Sequence, residues 1–99
     1  MTRDRVTPAL YQAVMERDRS CILAQLDAAH VCRDRWGTPH PSDATHVLTI
    51  EHVKTDLRAG RRAPSDLRHC VAMCYTGNVG VPSKSQRALI REYLEGATP

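Results

Sequence analysis

Two short apolar segments constrain the fold of this chain more than any other feature. In residues 47–53, apolar and polar side chains alternate and β-branched residues are frequent, which is the pattern of a β-strand. Residues 69–73 form a second segment of strand length, which is apolar after His69. The basic segment between them contains Gly60 and Pro64, which disfavour regular structure. We therefore expect two strands joined by a loop at residues 54–66.

The first strand ends in Glu51 and His52, two side chains that can take part in acid–base or metal chemistry. Neighbouring side chains on a strand leave opposite faces, so this pair is not expected to form a simple acid–base dyad. A division of roles is expected instead, in which one side chain binds a metal ion and the other activates water. The alternative is a polar pair at a strand end without catalytic work.

The 99 residues predict a single domain, 1–99, near the lower size limit for one hydrophobic core. The chain has no Phe, one Trp and three Tyr, so additional stabilisation by a metal is expected. No apolar stretch approaches the ~20 residues that span a bilayer, which predicts a soluble, cytoplasmic protein without a membrane partner. In that compartment cysteines are expected as metal ligands or small buried residues rather than disulfides. The four cysteines are Cys21, Cys32, Cys70 and Cys74.

Basic side chains cluster between the two predicted strands, although the net charge of the chain is only +3. At this place they could contact phosphates that flank a site at the strand ends. The alternative is a solvated loop with an ordinary share of arginines. The residues concerned are Lys54, Arg58, Arg61, Arg62 and Arg68.

Helices are predicted on both sides of the strands. Thr7 as an N-cap followed by Pro8 predicts a helix over residues 8–17, packed on the sheet. Residues 33–43 are rich in Pro, Gly and charged residues and predict an irregular loop. Trp36 is expected to pin this loop to the core. A capping box before an apolar stripe predicts a C-terminal helix at about residues 83–95, which would close the core and present a basic face on its other side. The stripe consists of Leu89, Ile90, Tyr93 and Leu94.

The order of these landmarks resembles the HNH endonucleases, most closely the small versions carried by actinobacterial phages. The similar residues are 48–53, 60–66, 69–74 and Asn78, within a core of about 14–78. The resemblance implies an α+β fold with a small ββα-metal (His-Me finger) core and flanking N- and C-terminal helices. It also implies DNA as partner, a phage packaging or replication protein as a further partner, and the cytoplasm of the host cell as location. The oligomeric state is left open.

The same resemblance assigns roles to single residues. His52 matches the general base that activates water, and Glu51 matches the acidic ligand of one divalent ion, Mg²⁺ or Mn²⁺, with Ni²⁺ or Zn²⁺ as alternatives. His69 falls at the middle Asn of the motif, which orients the base. Asn78 stands where the last His is usual, and its carbonyl oxygen can serve a hard cation.

Asn78 in place of the last His leaves the function open. The first candidate is a metal-dependent DNA endonuclease that hydrolyses phosphodiester bonds with His52 as base. The second is a catalytically inactive HNH-like module that binds DNA or protein. The third is a structural zinc protein that acts through protein contacts.

The similar nucleases commonly hold a structural zinc ion between two Cys-x-x-Cys knuckles. Here Ala24 replaces the second cysteine of the first knuckle, and Gly77 replaces the second cysteine of the second knuckle. His30 and Cys70 are the alternatives for a fourth ligand, and Cys70 is retained because it shares a strand face with the last cysteine. The alternative is that the cysteines are small buried residues. The predicted ligands of a structural Zn²⁺ are Cys21, Cys32, Cys74 and Cys70.

Overall fold

The computed structural model describes residues 6–53, 65–80 and 82–97. Helices and a two-stranded antiparallel sheet make up this part of the chain, which agrees with the predicted α+β class. No helix within it is both long and apolar enough to cross a lipid bilayer. In chain order the elements are α1 (Pro8–Asp18), α2 (Ile22–Leu26), a 3₁₀ turn (Thr45–Val47), β1 (Thr49–His52), β2 (Cys70–Met73), α3 (Tyr75–Val79) and α4 (Lys84–Ala97).

The predicted first helix is confirmed and extends one residue further than expected. Thr7 is the N-cap, and its hydroxyl oxygen accepts a hydrogen bond from the Leu10 N–H at 3.1 Å. The helix ends at Asp18, and the C-cap residue Arg19 has a left-handed φ of 65° and donates its N–H to the Met15 carbonyl. The helix buries Val14 against the sheet side of the core.

The two strands are antiparallel, with Thr49 opposite Met73 and His52 opposite Cys70. Strand β1 is shorter than predicted because residues 45–47 form a 3₁₀ turn. The Tyr11 hydroxyl lies 2.9 and 3.0 Å from two carbonyl oxygens in this region, those of residues 45 and 48. The Tyr11 hydroxyl thus supplies these carbonyl groups with the hydrogen-bond partner that a neighbouring strand would otherwise give.

Helix α3 begins directly after β2 and is only five residues long. The Cys74 side chain is its N-cap and accepts from the Gly77 N–H. Gly77 is buried, and a Cβ atom there would lie 2.9 Å from side-chain atoms of both Leu23 and Met73. A side chain at this position would therefore hold α3 away from α2 and β2.

Helix α4 confirms the predicted C-terminal helix, displaced by one or two residues. The capping box forms in both directions, since the Gln86 N–H donates to the Ser83 hydroxyl and the Ser83 N–H donates to the Gln86 side chain. Ile90 and Leu94 are 1% and 2% exposed, and the helix packs on α2. Its predicted role in closing the core is confirmed, except that Leu89 of the predicted stripe is exposed.

A buried carboxylate joins three elements. Asp18 at the end of α1 is 4% exposed and accepts hydrogen bonds from the Ala72 N–H of β2, the Tyr93 hydroxyl of α4 and the Arg17 guanidinium. Arg17 in turn donates to the carbonyl oxygens of residues 67 and 70. This network fixes β2 against both long helices, so the strand that leads into α3 has a defined position.

The expectation that Trp36 pins its loop to the core is wrong. The side chain is 81% exposed and lies at the tip of a turn closed by a bridge between Arg33 and Pro39. The helix α2, which the sequence did not predict, supplies apolar residues to the core instead. It buries Ile22 and Leu23.

Candidate metal centre and strand-end site

Four side chains converge on one point of the fold and can bind a metal ion such as zinc. The ligand atoms of Cys21, His30, Cys32 and Cys74 all lie within 4.8 Å of one another. A tetrahedral zinc site with normal Zn–S and Zn–N bonds places its ligand atoms roughly 3.5–3.8 Å apart. The cluster therefore needs only a small contraction around an ion, and its Cys₃His composition is a common structural zinc set.

Three separate chain segments supply these ligands. Cys21 precedes α2, His30 and Cys32 lie in the loop after α2, and Cys74 is the N-cap of α3. The three cysteines are buried, and the histidine is half-buried. An ion at this point would tie the turn between α1 and α2 to the start of α3.

Hydrogen-bond donors already face the sulfur atoms. The Cys74 N–H donates to the Cys21 Sγ at 3.3 Å, and the Gly77 N–H donates to the Cys74 Sγ at 3.2 Å. The Thr76 hydroxyl lies 3.3 Å from the same Cys74 Sγ, and His30 Nε2 lies 3.0 Å from it. Such contacts stabilise thiolates and orient ligands toward an ion.

The thiol pKa values differ strongly within the cluster. The hydrogen bond from Cys21 lowers the pKa of Cys74 to about 3, against the opposing effect of burial. The same contact raises the pKa of Cys21, and burial raises the pKa of Cys32 to about 11. Cys74 is therefore the thiol of the cluster that ionises most readily. A divalent ion would displace protons from the other two thiols.

Cys70 was the predicted fourth ligand, and the geometry corrects this prediction to His30. Cys70 lies at the start of β2, opposite His52, and is not part of the cluster. Residues four apart on a strand share a face but are separated by roughly 13 Å, too far to bind one ion. Burial raises the pKa of the Cys70 thiol to about 11. His30 and Cys32 lie two residues apart in one loop, and this spacing is the sequence signal that could have identified His30.

Glu51 occupies the buried side of the strand end. It is half-buried, and its Oε2 atom is buried without a hydrogen-bond partner among the described residues. Desolvation raises the pKa of this carboxyl group, and the positive charge of Arg87 partly offsets the effect. A buried carboxylate oxygen normally has a partner, so an atom without one is available to a cation.

His52 occupies the exposed side, as expected for neighbours on a strand. Its Nε2 atom lies 2.8 Å from the Ser65 hydroxyl, and the side chain is exposed to solvent. His52 and Glu51 therefore do not form a dyad, and a hydroxyl-sized group can reach the imidazole.

His69 contacts β1 through its backbone rather than its ring. Its carbonyl oxygen accepts from the Val53 N–H at 2.6 Å, one residue beyond His52. Its ring nitrogen Nδ1 lies 2.6 Å from the Asp66 carboxylate. The backbone contact holds the end of β1 in place next to His52.

Asn78 lies beside β1 and clamps α3 to it. Its Nδ2 atom donates to the Thr49 hydroxyl at 2.9 Å and to the Ile50 carbonyl at 3.2 Å. Thr49 is two residues from Glu51, so both side chains leave the same face of the strand. The amide's other polar atom, Oδ1, is the one a cation would use.

Of the basic residues predicted to contact phosphate, Arg68 is exposed, and its N–H donates to the Asp66 carboxylate. The other four lie outside the described residues. They are Lys54, Arg58, Arg61 and Arg62.

Comparison with known proteins gives no family for this chain. No protein-family model matches it, and no match is found among curated proteins or solved structures. Its function has to be inferred from the residues and contacts described above.

Proposed function

We propose that this chain is a metal-dependent DNA endonuclease that hydrolyses phosphodiester bonds at the end of β1. His52 is the general base, and Glu51 and Asn78 hold one divalent ion, Mg²⁺ or Mn²⁺, in a small ββα-metal arrangement. The observation that carries this proposal is the buried Glu51 Oε2 atom, which has no hydrogen-bond partner among the described residues.

The metal part of the proposal rests on the position of α3. The Asn78 amide is held against Thr49, which shares a strand face with Glu51. A carboxylate and an amide oxygen are both ligands that hard divalent cations accept. A cation there would relieve the desolvation that raises the pKa of Glu51. Phosphate oxygens and water would complete its coordination.

The base is assigned to His52 because of its exposure and its chemistry. Phosphodiester hydrolysis needs a deprotonated water, a cation to offset charge on the phosphorus centre, and a stabilised leaving oxygen. An imidazole has a reference pKa of about 6.5, so near neutral pH it can accept the proton of an attacking water. The Nε2 atom of His52 already lies against one hydroxyl group, that of Ser65, and water could be held in the same way.

The Cys₃His cluster has a structural role in this proposal. All four positions around its ion are protein ligands, as in structural rather than catalytic zinc sites. Zinc there would hold Cys74, four residues before Asn78, and so fix the start of the helix that carries Asn78.

A supercoiled-plasmid assay tests the proposal. Purified protein is incubated with plasmid in Mg²⁺, Mn²⁺ or Ni²⁺, and His52→Ala is compared with His46→Ala, an exposed histidine of the 3₁₀ turn. We expect metal-dependent nicking by wild type and His46→Ala and its loss in His52→Ala. The proposal fails if no metal supports nicking, or if both variants cut equally.

One observation favours the second function, an inactive HNH-like module that binds DNA or protein. The Asn78 amide nitrogen makes two hydrogen bonds to β1, which is a clamping role that needs no metal. This function predicts salt-dependent DNA binding that is equal in wild type and His52→Ala and needs no added divalent ion.

A further inference from the structure

Trp36 is placed on an exposed turn that projects from the metal centre. The turn spans residues 33–39, closed by the bridge between Arg33 and Pro39, and the Trp36 side chain is 81% exposed. Tryptophan is highly buried on average in folded proteins, so a nearly bare indole is unusual. The Cys32 carbonyl at the base of the turn accepts from the His40 N–H at 3.0 Å.

Hydrogen bonds hold this turn in one shape. The Asp34 carboxylate accepts the N–H groups of Trp36 and Thr38 at 2.9 and 3.0 Å. The Arg33 guanidinium donates to the Gly37 carbonyl at 2.8 Å, and Gly37 has a positive φ of 82° that suits glycine. The indole is thus carried by an ordered turn, which lowers the entropic cost of binding a partner.

One cation lies over the indole, and a second stands on the same turn. The Arg35 guanidinium lies 5.4 Å from the centre of the Trp36 ring, and Arg33 is exposed at the base of the same turn. The nearby carboxylate of Asp34 is engaged by the turn's own N–H groups. An exposed aromatic surface on a turn that carries two arginines is complementary to a nucleotide, which offers a flat base and anionic phosphates.

We propose that the 33–39 turn binds an unpaired stretch of DNA, with Trp36 stacked on a base and Arg33 and Arg35 on the flanking phosphates. The inference rests on the proposed function for its partner class and names the form of DNA that is held. A bilayer is a poorer match, because membrane insertion needs a broad apolar face and this turn offers one large apolar side chain.

Intrinsic fluorescence reads this contact directly, because Trp36 is the sole tryptophan of the chain. The full chain is titrated, without added divalent metal, with a thymidine oligonucleotide of about 16 nucleotides. A duplex of equal length, phosphatidylserine vesicles and polyglutamate are titrated in parallel. We expect saturable quenching by the single strand and a weaker response to the duplex. Equal or stronger response to vesicles or polyglutamate, or no response to DNA, overturns the proposal.

Matched variants distinguish the contribution of Trp36 stacking to DNA affinity from that of overall positive charge. Binding of a labelled oligonucleotide is followed by anisotropy for Trp36→Ala, Arg35→Ala and Arg19→Gly. The last variant removes an equal charge elsewhere, at a left-handed position that suits glycine. We expect Trp36→Ala to weaken binding at least about 5-fold, as loss of one stacked base does. Arg35→Ala should weaken binding more than Arg19→Gly. Equal affinity of Trp36→Ala and wild type contradicts the proposal, provided that circular dichroism finds both folded.

The outcomes for this turn and for the strand-end site are distinguishable. Quenching by the single strand with no plasmid nicking in any metal removes the nuclease and keeps the turn as a DNA contact. Nicking that is lost in His52→Ala while Trp36→Ala binds and cuts normally removes the turn and keeps the nuclease.

Discussion

The Cys₃His cluster and the end of β1 both gather metal-binding side chains, but they are built in opposite ways. In the cluster, four ligand atoms converge and N–H groups donate to the Cys21 and Cys74 sulfurs. At the strand end, the Glu51 Oε2 atom lacks a hydrogen-bond partner among the described residues, and His52 faces solvent. A closed ligand set suits an ion that holds the fold, and an open one suits an ion that must meet a substrate.

The largest effect is expected when the closed cluster loses a ligand. Cys74→Ala should abolish stoichiometric zinc binding and cooperative folding, because structural zinc binding contributes on the order of 10 kcal/mol to small domains. Cys70→Ala is the matched control, since Cys70 is equally buried but lies outside the cluster. It should cost only about 1–2 kcal/mol through lost packing. Zinc content by mass spectrometry and thermal melting measure both. Equal effects of the two variants would show that the cluster binds no structural ion.

The second-largest effect is expected on zinc affinity when the pH is changed. Zinc needs the Cys21 and Cys32 thiols deprotonated, and in the metal-free cluster their pKa values are raised, that of Cys32 to about 11. Binding therefore releases protons, and zinc affinity should rise with pH and fall on acidification. We expect zinc to be retained at about pH 8 and released to a colorimetric chelator as the pH falls below about 5. Affinity that does not change with pH would contradict a thiolate site.

A smaller effect is expected from overpacking beside the cluster. In Gly77→Ala the new methyl group would lie 2.9 Å from atoms of Leu23 and Met73, which should cost about 1–3 kcal/mol. Gly96→Ala adds the same methyl group in α4 with nothing within 4 Å, and should be neutral or stabilising by up to about 1 kcal/mol. Urea unfolding of both proteins measures the difference. A neutral Gly77→Ala would mean that α3 does not pack closely on α2 and β2.

The smallest effect on stability is expected at the open site. Burial raises the pKa of Glu51, so folding favours its protonated form, and its contribution to stability is largest at low pH and declines as pH rises through its raised pKa. Glu51→Gln should therefore change stability at pH 7 by no more than about 0.5 kcal/mol, toward higher stability. The gain should shrink at about pH 4, where wild-type Glu51 also becomes protonated. A marked loss of stability at pH 7 would indicate that the carboxylate is paired.

Much of the fold could be predicted from local sequence signals. The Thr7 cap and the Ser83 capping box located both long helices to within about two residues, because capping depends on neighbours in the chain. The 3₁₀ turn at Thr45–Val47 could not be predicted, since the Tyr11 hydroxyl that contacts the Thr45 carbonyl and the Leu48 carbonyl just after the turn is more than 30 residues away.

The site was predictable in part. Three of the four clustered ligands were identified from residue type. The fourth, His30, was named only as an alternative to Cys70, because a shared strand face was taken as proximity although it says nothing of distance along the strand. The exposure of Trp36 was missed because the hydrogen bonds that hold its turn are made by Asp34 within that turn. A turn satisfied in this way does not need the indole in the core.

The contrast between a closed and an open site is tested most directly by the plasmid-nicking rate of Glu51→Gln, measured in Mn²⁺ on protein with the zinc content of wild type. The variant keeps the shape of the Glu51 side chain and removes the charge that would bind the divalent ion at the end of β1. We predict unchanged zinc content with nicking reduced at least about 100-fold. Nicking at the wild-type rate would contradict a metal-dependent site at Glu51, and loss of zinc in the same variant would contradict the separation of the two sites.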